Sequence, residues 1–344
     1  MGRIILRVVG AIAAVFVILV VVGTVWLAAP GQPGPSRTLK FDGFILLPGH
    51  GLLNVMDYVT LADRTLFVTA PSSGSVYKIA LDRGRFDRVT ELRGEPRAHG
   101  VALVPSRDLG FVTRSEINEV EVFSLSRLKF LKRIPVPDDA DGILYDRTHD
   151  LIYVANGDAQ VATLIDPATQ ASVATIRLGG KPEFAAIDPH SGLLYQNIES
   201  ANAVAAIDLG ARRIAGKWPL TGCIGPTGIA IDSALRRAFI VCGRNAMLVV
   251  FDLDGNRIVA SVKIGTGPDA VAFDPFLHRI YATGLSGEVS VTQQENADEY
   301  KLLEKISTHF AAHTLAVDPV THKLYVAYAS LIVAPRVAVF SAVE

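Results

Sequence analysis

Seven polar residues recur along the chain at near-constant spacing, and each begins a short apolar run. Neighbouring members are 42 or 44 residues apart, and in chain order they are Asp57, His99, Asp141, Glu183, Thr227, Asp269 and His313. Carboxylates and neutral imidazoles are ligands that divalent cations accept, and a carboxylate beside a histidine can serve in acid–base catalysis. A third interpretation needs no ligand, because polar residues also hydrate a channel mouth and cap the starts of strands.

Each of these residues begins a repeat that predicts four short strands. In the five clearest repeats an Asp follows the start by five residues, and an aromatic residue follows that Asp by seven. In the third repeat we expect strands A to D over Gly142–Tyr145, Leu151–Ala155, Val161–Ile165 and Val173–Leu178. Asp at the first turn position, with Pro next in several copies, favours a type I turn. We therefore assign Asp146, Asp188, Asp232, Asp274 and Asp318 to turns rather than to catalysis.

Four strands in a period of 40–45 residues predict an all-β, seven-bladed β-propeller with four-stranded blades. The recurrent aromatic residue is expected to pack between blades. The seventh repeat ends at a strand-C-like run, Arg336–Phe340, while an orphan apolar run, Phe44–Leu47, precedes the first repeat. We predict that this N-terminal run completes blade seven, because such closure leaves no open sheet edge.

Three sequence elements resemble the YVTN-repeat, or YncE-like, family of β-propellers. Tyr153–Asn156 reads Tyr-Val-Ala-Asn, Pro226–Ala230 reads Pro-Thr-Gly-Ile-Ala, and Ile165-Asp166 matches the end of the family's Val-x-Val-Ile-Asp element. The resemblance spans about residues 40–344 and is weakest in blades one and two. It implies a propeller, and it carries no catalytic residues over to this chain, because the family motif is structural.

The N-terminus predicts a membrane segment. Val8–Ala29 comprises 22 nearly all-apolar residues without a charge, enough for a helix of about 33 Å, and Arg3 and Arg7 precede it. The preceding arginines keep the N-terminus in the cytoplasm and place the rest outside it. The alternative is a cleaved signal peptide, which would make the protein secreted, but the apolar run is long for one. We expect an anchor over 1–29, a linker over 30–39 and the propeller over 40–344.

Composition excludes several classes of protein. The chain is 50% hydrophobic and 19% charged, which argues against disorder, and its net charge of −1 argues against nucleic acid as a partner. Two cysteines are too few for a disulfide scaffold or a four-thiolate zinc site. Cys223 precedes strand A of blade five and Cys242 ends its strand B, so the two could form a disulfide in an exported compartment or remain two buried thiols.

The seven recurrent residues are expected to form a ring at the channel mouth, and this ring is the predicted ligand-binding site. Within it, the potential ligands of a divalent cation are Asp57, His99, Asp141, Glu183 and His313. The loops between strands B and C, together with the chain before His99, supply a secondary set of residues, expected to be solvated: Arg97, Arg114, Asn156, Asn197 and Arg244. Of these, Arg97 and Arg244 could bind an anion.

No catalytic residue can be assigned, because no complete catalytic set is visible in the sequence. The first hypothesis is therefore a non-catalytic scaffold that binds a small-molecule ligand or a protein partner. The alternative is a metal-dependent hydrolase of the propeller lactonase type, in which the acidic and imidazole ring would hold the metal.

Overall fold

The structure, a computed structural model, describes Val17 and residues 32–343 apart from 63, 82–88, 95, 96, 310 and 332. Except for Val17, the predicted membrane segment Val8–Ala29 lies outside these residues. Within the described part of the chain, no helix has the length and apolar character needed to cross a bilayer.

The described chain folds into seven four-stranded antiparallel sheets and one two-stranded ribbon, which confirms the predicted seven-bladed propeller. The strands before blade one and those of blades one and two are β1 (Leu39–Leu46), β2 (Leu53–Asn54), β3 (Val59–Ala62), β4 (Thr65–Ala70), β5 (Ser75–Ala80), β6 (Val89–Arg93), β7 (Ala98–Val104), β8 (Leu109–Arg114), β9 (Glu119–Ser124) and β10 (Lys129–Pro135). Blades three and four contain β11 (Ala140–Asp146), β12 (Leu151–Asn156), β13 (Val161–Asp166), β14 (Ala171–Arg177), β15 (Pro182–Ile187), β16 (Leu194–Ile198), β17 (Ala203–Asp208) and β18 (Arg213–Pro219).

Blades five to seven contain β19 (Pro226–Asp232), β20 (Arg237–Cys242), β21 (Met247–Asp252), β22 (Arg257–Lys263), β23 (Pro268–Asp274), β24 (Arg279–Gly284), β25 (Glu288–Gln294), β26 (Tyr300–Ser307), β27 (Thr314–Val317), β28 (Lys323–Tyr328), β29 (Ser330–Leu331) and β30 (Arg336–Ala342). Single 3₁₀ turns, Pro105–Arg107 and Glu199–Ala201, occur in blades two and four. Blades one to six are antiparallel meanders, and in blade seven β1 takes the place of strand D. Strand A is innermost in every blade, so the seven A strands surround the channel.

Blade seven is closed by the N-terminal strand, as predicted. β1 pairs antiparallel with β30 in a register that joins Leu39 to Ala342 and Leu46 to Arg336. The strand begins five residues earlier than the predicted run Phe44–Leu47. The buried Ile45 packs in a core cluster shared by blades seven and one. The two ends of the propeller are therefore held in one sheet.

The predicted turn role of the five Asp residues is confirmed. In each turn a carboxylate oxygen accepts a hydrogen bond from the backbone N–H two residues further on, as Asp146 Oδ1 does from Thr148 at 2.9 Å. Some of these carboxylates also reach the next blade, a role that the sequence did not reveal. Asp274 Oδ2 lies 2.8 Å from His322 Nδ1, and Asp232 Oδ2 accepts from Gln294 Nε2 at 3.0 Å.

The recurrent aromatic residues are buried between blades, as expected: Phe67, Phe111, Tyr153, Tyr195, Phe239, Tyr281 and Tyr325. Tyr153 also donates from its hydroxyl to Gln196 Oε1 of blade four at 2.7 Å, which satisfies a polar atom in an otherwise apolar contact. In blade five, Cys223 and Cys242 form a disulfide with their Cα atoms 5.3 Å apart.

We expect Ile45→Ala to lower the free energy of unfolding by about 2–5 kcal/mol, because it removes a buried side chain from the closing strand and leaves a cavity. Leu46→Ala is the matched control, since the neighbouring side chain is 60% exposed and its loss should cost less than about 0.5 kcal/mol. Denaturant unfolding measures both. Equal effects of the two substitutions would contradict the packing of β1 in blade seven.

Candidate functional site

A local irregularity of strand A positions five of the seven predicted ring residues. In blades two to six the pairing of strand A with strand B shifts register across the ring residue, as between Ala140 and Ile143 around Asp141. Such a bulge turns a side chain away from its regular alternation. The ring residues of blades one and seven, Asp57 and His313, instead lie just before β3 and β27.

Three ring residues from blades one to three converge. His99 Nδ1 lies 2.5 Å from Asp57 Oδ2 and 3.4 Å from Asp141 Oδ1, while His99 Nε2 lies 2.9 Å from Ser115 Oγ. One ligand atom from each of Asp57, His99 and Asp141 lies within 4.8 Å of the other two. We call these three residues the Asp–His–Asp cluster. Its donor set, two carboxylates and one imidazole, suits a divalent cation.

The other ring residues do not join this cluster. His313 Nδ1 lies 2.6 Å from Asp269 Oδ2, which makes a second carboxylate–imidazole pair across blades six and seven. Thr227 donates from Oγ1 to the carbonyl oxygen of Pro268 at 3.1 Å, so its hydroxyl ties blade five to blade six. The carboxylate of Glu183 makes no hydrogen bond or ion pair with any described residue.

Burial and mutual repulsion hold protons on the ring. Burial, and then the charge of Asp57, raise the pKa of Asp141 to about 7. Burial, and then Asp141, raise the pKa of Glu183 to about 8. Burial alone would lower the pKa of His99, but the hydrogen bond and charge of Asp57 outweigh burial and raise that pKa. The pKa of His313 is raised in the same way by the hydrogen bond and charge of Asp269. The ring therefore holds more protons near neutral pH than the same carboxyl and imidazole groups would hold in water.

An aromatic pair lies directly beside the ring. Tyr58 of blade one and Phe184 of blade four stack with ring centroids 4.7 Å apart at 23°, inside a central cavity of about 420 Å³. Burial, and then the charge of Asp141, raise the pKa of the Tyr58 hydroxyl well above its usual value. These aromatic residues come directly after ring members Asp57 and Glu183, whereas the corresponding residue in blades two, three and five is glycine.

The expectation of solvated residues in the loops between strands B and C is wrong for three of the secondary set. Arg114 and Asn156 are the last residues of their B strands, and Asn197 is the last but one of its strand. All three are fully buried. Arg114 donates from Nε to Glu121 Oε2 at 2.7 Å, and the amides of Asn156 and Asn197 each donate at 2.7 Å to a backbone carbonyl, of Pro137 and Thr227 respectively. Buried polar groups must find partners, so these residues tie loops to strands.

The two remaining members of the secondary set are exposed. Arg97 Nε lies 4.0 Å from Glu116 Oε2, and Arg244 Nη2 lies 2.8 Å from Glu199 Oε1. Each guanidinium is more than half exposed but has a carboxylate beside it, which weakens the case for an anion site at either position.

We expect the stability of the protein to fall as the pH rises from 5 to 8.5, and to fall less in Glu183→Gln. The pKa of Glu183 is higher in the folded chain than in the unfolded chain, so the folded state holds an extra proton between about pH 4.5 and 8. The contribution of this group to stability therefore falls as the pH rises through this window and changes no further above it. The raised pKa values of the two ring histidines act in the same direction above about pH 6.5.

Between pH 5 and 8.5 the free energy of unfolding should fall by about 1–3 kcal/mol less in Glu183→Gln than in the unchanged protein. This range is smaller than the full pKa shift would give, because water in the channel screens the carboxyl group. Denaturant unfolding across this pH range gives the comparison. Glu116→Gln, which removes an exposed carboxylate of the same face, should keep the pH dependence of the unchanged protein. An unchanged pH dependence in Glu183→Gln would show that Glu183 ionises normally.

Solved structures with the same architecture are distant in sequence. A chain of Kuenenia stuttgartiensis hydrazine synthase matches with a TM-score of 0.70 and 17% identity, covering 80% of this chain and 92% of that chain. The WD40 repeats of RRP9 match with a TM-score of 0.72 and 13% identity over 91% and 99%, and U3-55K with 0.72 and 12% over 90% and 99%. No protein-family profile and no curated protein sequence matches the chain. These similarities show the propeller fold.

Proposed function

We propose that the protein is a membrane-anchored binding scaffold whose propeller lies outside the cytoplasm and whose channel mouth captures a cationic group. The uncharged segment Val8–Ala29, preceded by Arg3 and Arg7, would supply the anchor. The resemblance to YVTN-repeat propellers supports a scaffold without catalytic residues.

One observation carries the proposal: four carboxylates share the mouth with only two imidazoles, and burial raises the pKa of Asp141 and Glu183. A cation placed among them would relieve the repulsion and allow these carboxyl groups to ionise. The cationic group could be a divalent metal ion or the ammonium or guanidinium group of a protein side chain. The structural likeness to WD40 propellers supports a protein as the source of that side chain.

We expect binding of at least one cationic probe to weaken about tenfold or more in the Asp57→Asn, Asp141→Asn double variant, because the variant removes two converging charges. Calorimetric titration with Ca²⁺, Mg²⁺, Mn²⁺ and Zn²⁺, and separately with an arginine- and lysine-rich peptide, distinguishes the two sources. Glu116→Gln controls for a lost carboxylate outside the ring. Absence of binding by every probe, or equal binding by the double variant, would contradict a cation site at the mouth.

The rival function is a metal-dependent hydrolase, and the Asp–His–Asp cluster is the observation that favours it. Asp141 Oδ1 is buried without a hydrogen-bond partner among the described residues, and the contact of His99 Nε2 with Ser115 leaves Nδ1 directed at the two carboxylates. A bound metal would supply Lewis-acid chemistry there, with Asp57, His99 and Asp141 as its ligands. Turnover of a lactone or ester that a chelator and His99→Ala both abolish would establish this function in place of the scaffold.

A further inference from the structure

The mouth face of the propeller divides into two sectors of different charge. The loops that carry blades six, seven and one at this face contain no Asp, Glu, Lys or Arg: 47–56, 264–267, 285–287, 308–312 and 329–335. We call them the uncharged sector. The loops of blades two to four at the same face, the charged sector, contain Glu116, Asp138, Asp139, Asp158, Lys181 and Glu199.

The uncharged sector also exposes large apolar side chains. Leu52 is 73% exposed, Leu53 54% and Leu285 51%. Leu53 is held out from the blade by the ribbon in which β2 pairs with β29, so Leu53 lies opposite Leu331. Exposed leucines on an uncharged surface mark a site of contact with an apolar partner. We therefore expect an apolar partner to cover the uncharged sector.

The chain before β1 runs along blade six and indicates which partner covers the uncharged sector. The backbone N–H of Gly34 bonds to the carbonyl oxygen of Ser307 at 2.8 Å, at the mouth-face end of the outer strand of blade six. The chain then runs down that strand, where Thr38 contacts Glu304, before β1 begins. Gly34 is only five chain positions after Ala29, and five extended residues span at most about 17 Å. The end of the apolar segment is thus tethered to the mouth face beside the uncharged sector.

We propose that the uncharged sector rests on the lipid surface of the membrane in which Val8–Ala29 is anchored. This inference rests on the anchoring part of the proposed function. The charged sector then faces away from the lipid, and a cationic group enters the channel mouth from the side of blades two to four. Leu52 and Leu53 are the residues that contact the acyl boundary, where interfacial leucines gain from burial.

The test uses the full chain reconstituted into vesicles of phosphatidylcholine and phosphatidylglycerol that contain a lipid with a spin-label quencher near the headgroup. Cys223 and Cys242 are bonded to each other, so an introduced cysteine is the free thiol for a fluorescent label. The labelled variants are Leu52→Cys, Asp158→Cys in the charged sector, and Val320→Cys, which is 82% exposed on the opposite face.

We expect strong quenching at position 52 and weak quenching at 158 and 320. Equal quenching at the three positions in protein that floats with the vesicles would overturn the orientation and leave the anchor standing. Protein that does not float with the vesicles would overturn the anchor and the orientation together. A label at position 52 that is unquenched, together with an intermolecular disulfide between unlabelled Leu52→Cys chains under oxidising conditions, would show that a second chain covers the sector and overturn the contact with lipid.

Discussion

The pairing of β1 with β30 is the constraint on which the rest of the structure depends. A propeller blade is stable only when both of its faces are covered by neighbours, so an unclosed ring would expose a face at each end. The N-terminal strand closes the ring by entering blade seven, where Ile45 joins a core shared with blade one. Closure brings His313 of blade seven near Asp57 of blade one, whose charge helps raise the pKa of His313, so the ring of polar residues is complete only in the closed molecule.

The fold was predictable because it repeats. A turn Asp and a buried aromatic recur in five clear copies with fixed offsets, and each copy is an independent observation of the same blade. Closure was predictable for a related reason: one strand was missing at the end and one apolar run was left over at the start. The YVTN-like resemblance agrees with the fold, while no family profile matches the chain.

The site was predictable only as a set of residues. Which ring members meet depends on the bulges in strand A, and spacing does not reveal them, so the sequence did not separate the Asp–His–Asp cluster from Thr227, whose hydroxyl serves a backbone carbonyl. The predicted loop positions of Arg114 and Asn156 also led to a wrong prediction of solvent exposure. Both residues lie at strand ends that the neighbouring loops cover. The stacked Tyr58 and Phe184 had a signal in the sequence: large residues directly after two ring positions, where three other blades have glycine.

In the proposed function, the channel mouth holds protons that a cationic ligand displaces when it binds. Calorimetric titration of such a ligand near pH 7, repeated in buffers with different enthalpies of ionisation, measures the number of protons released on binding. We expect a net release of protons that falls toward zero above about pH 8, because the pKa values are about 7 for Asp141 and about 8 for Glu183. Binding at pH 7 without proton release would contradict it, because the bound cation would then not be meeting these carboxyl groups.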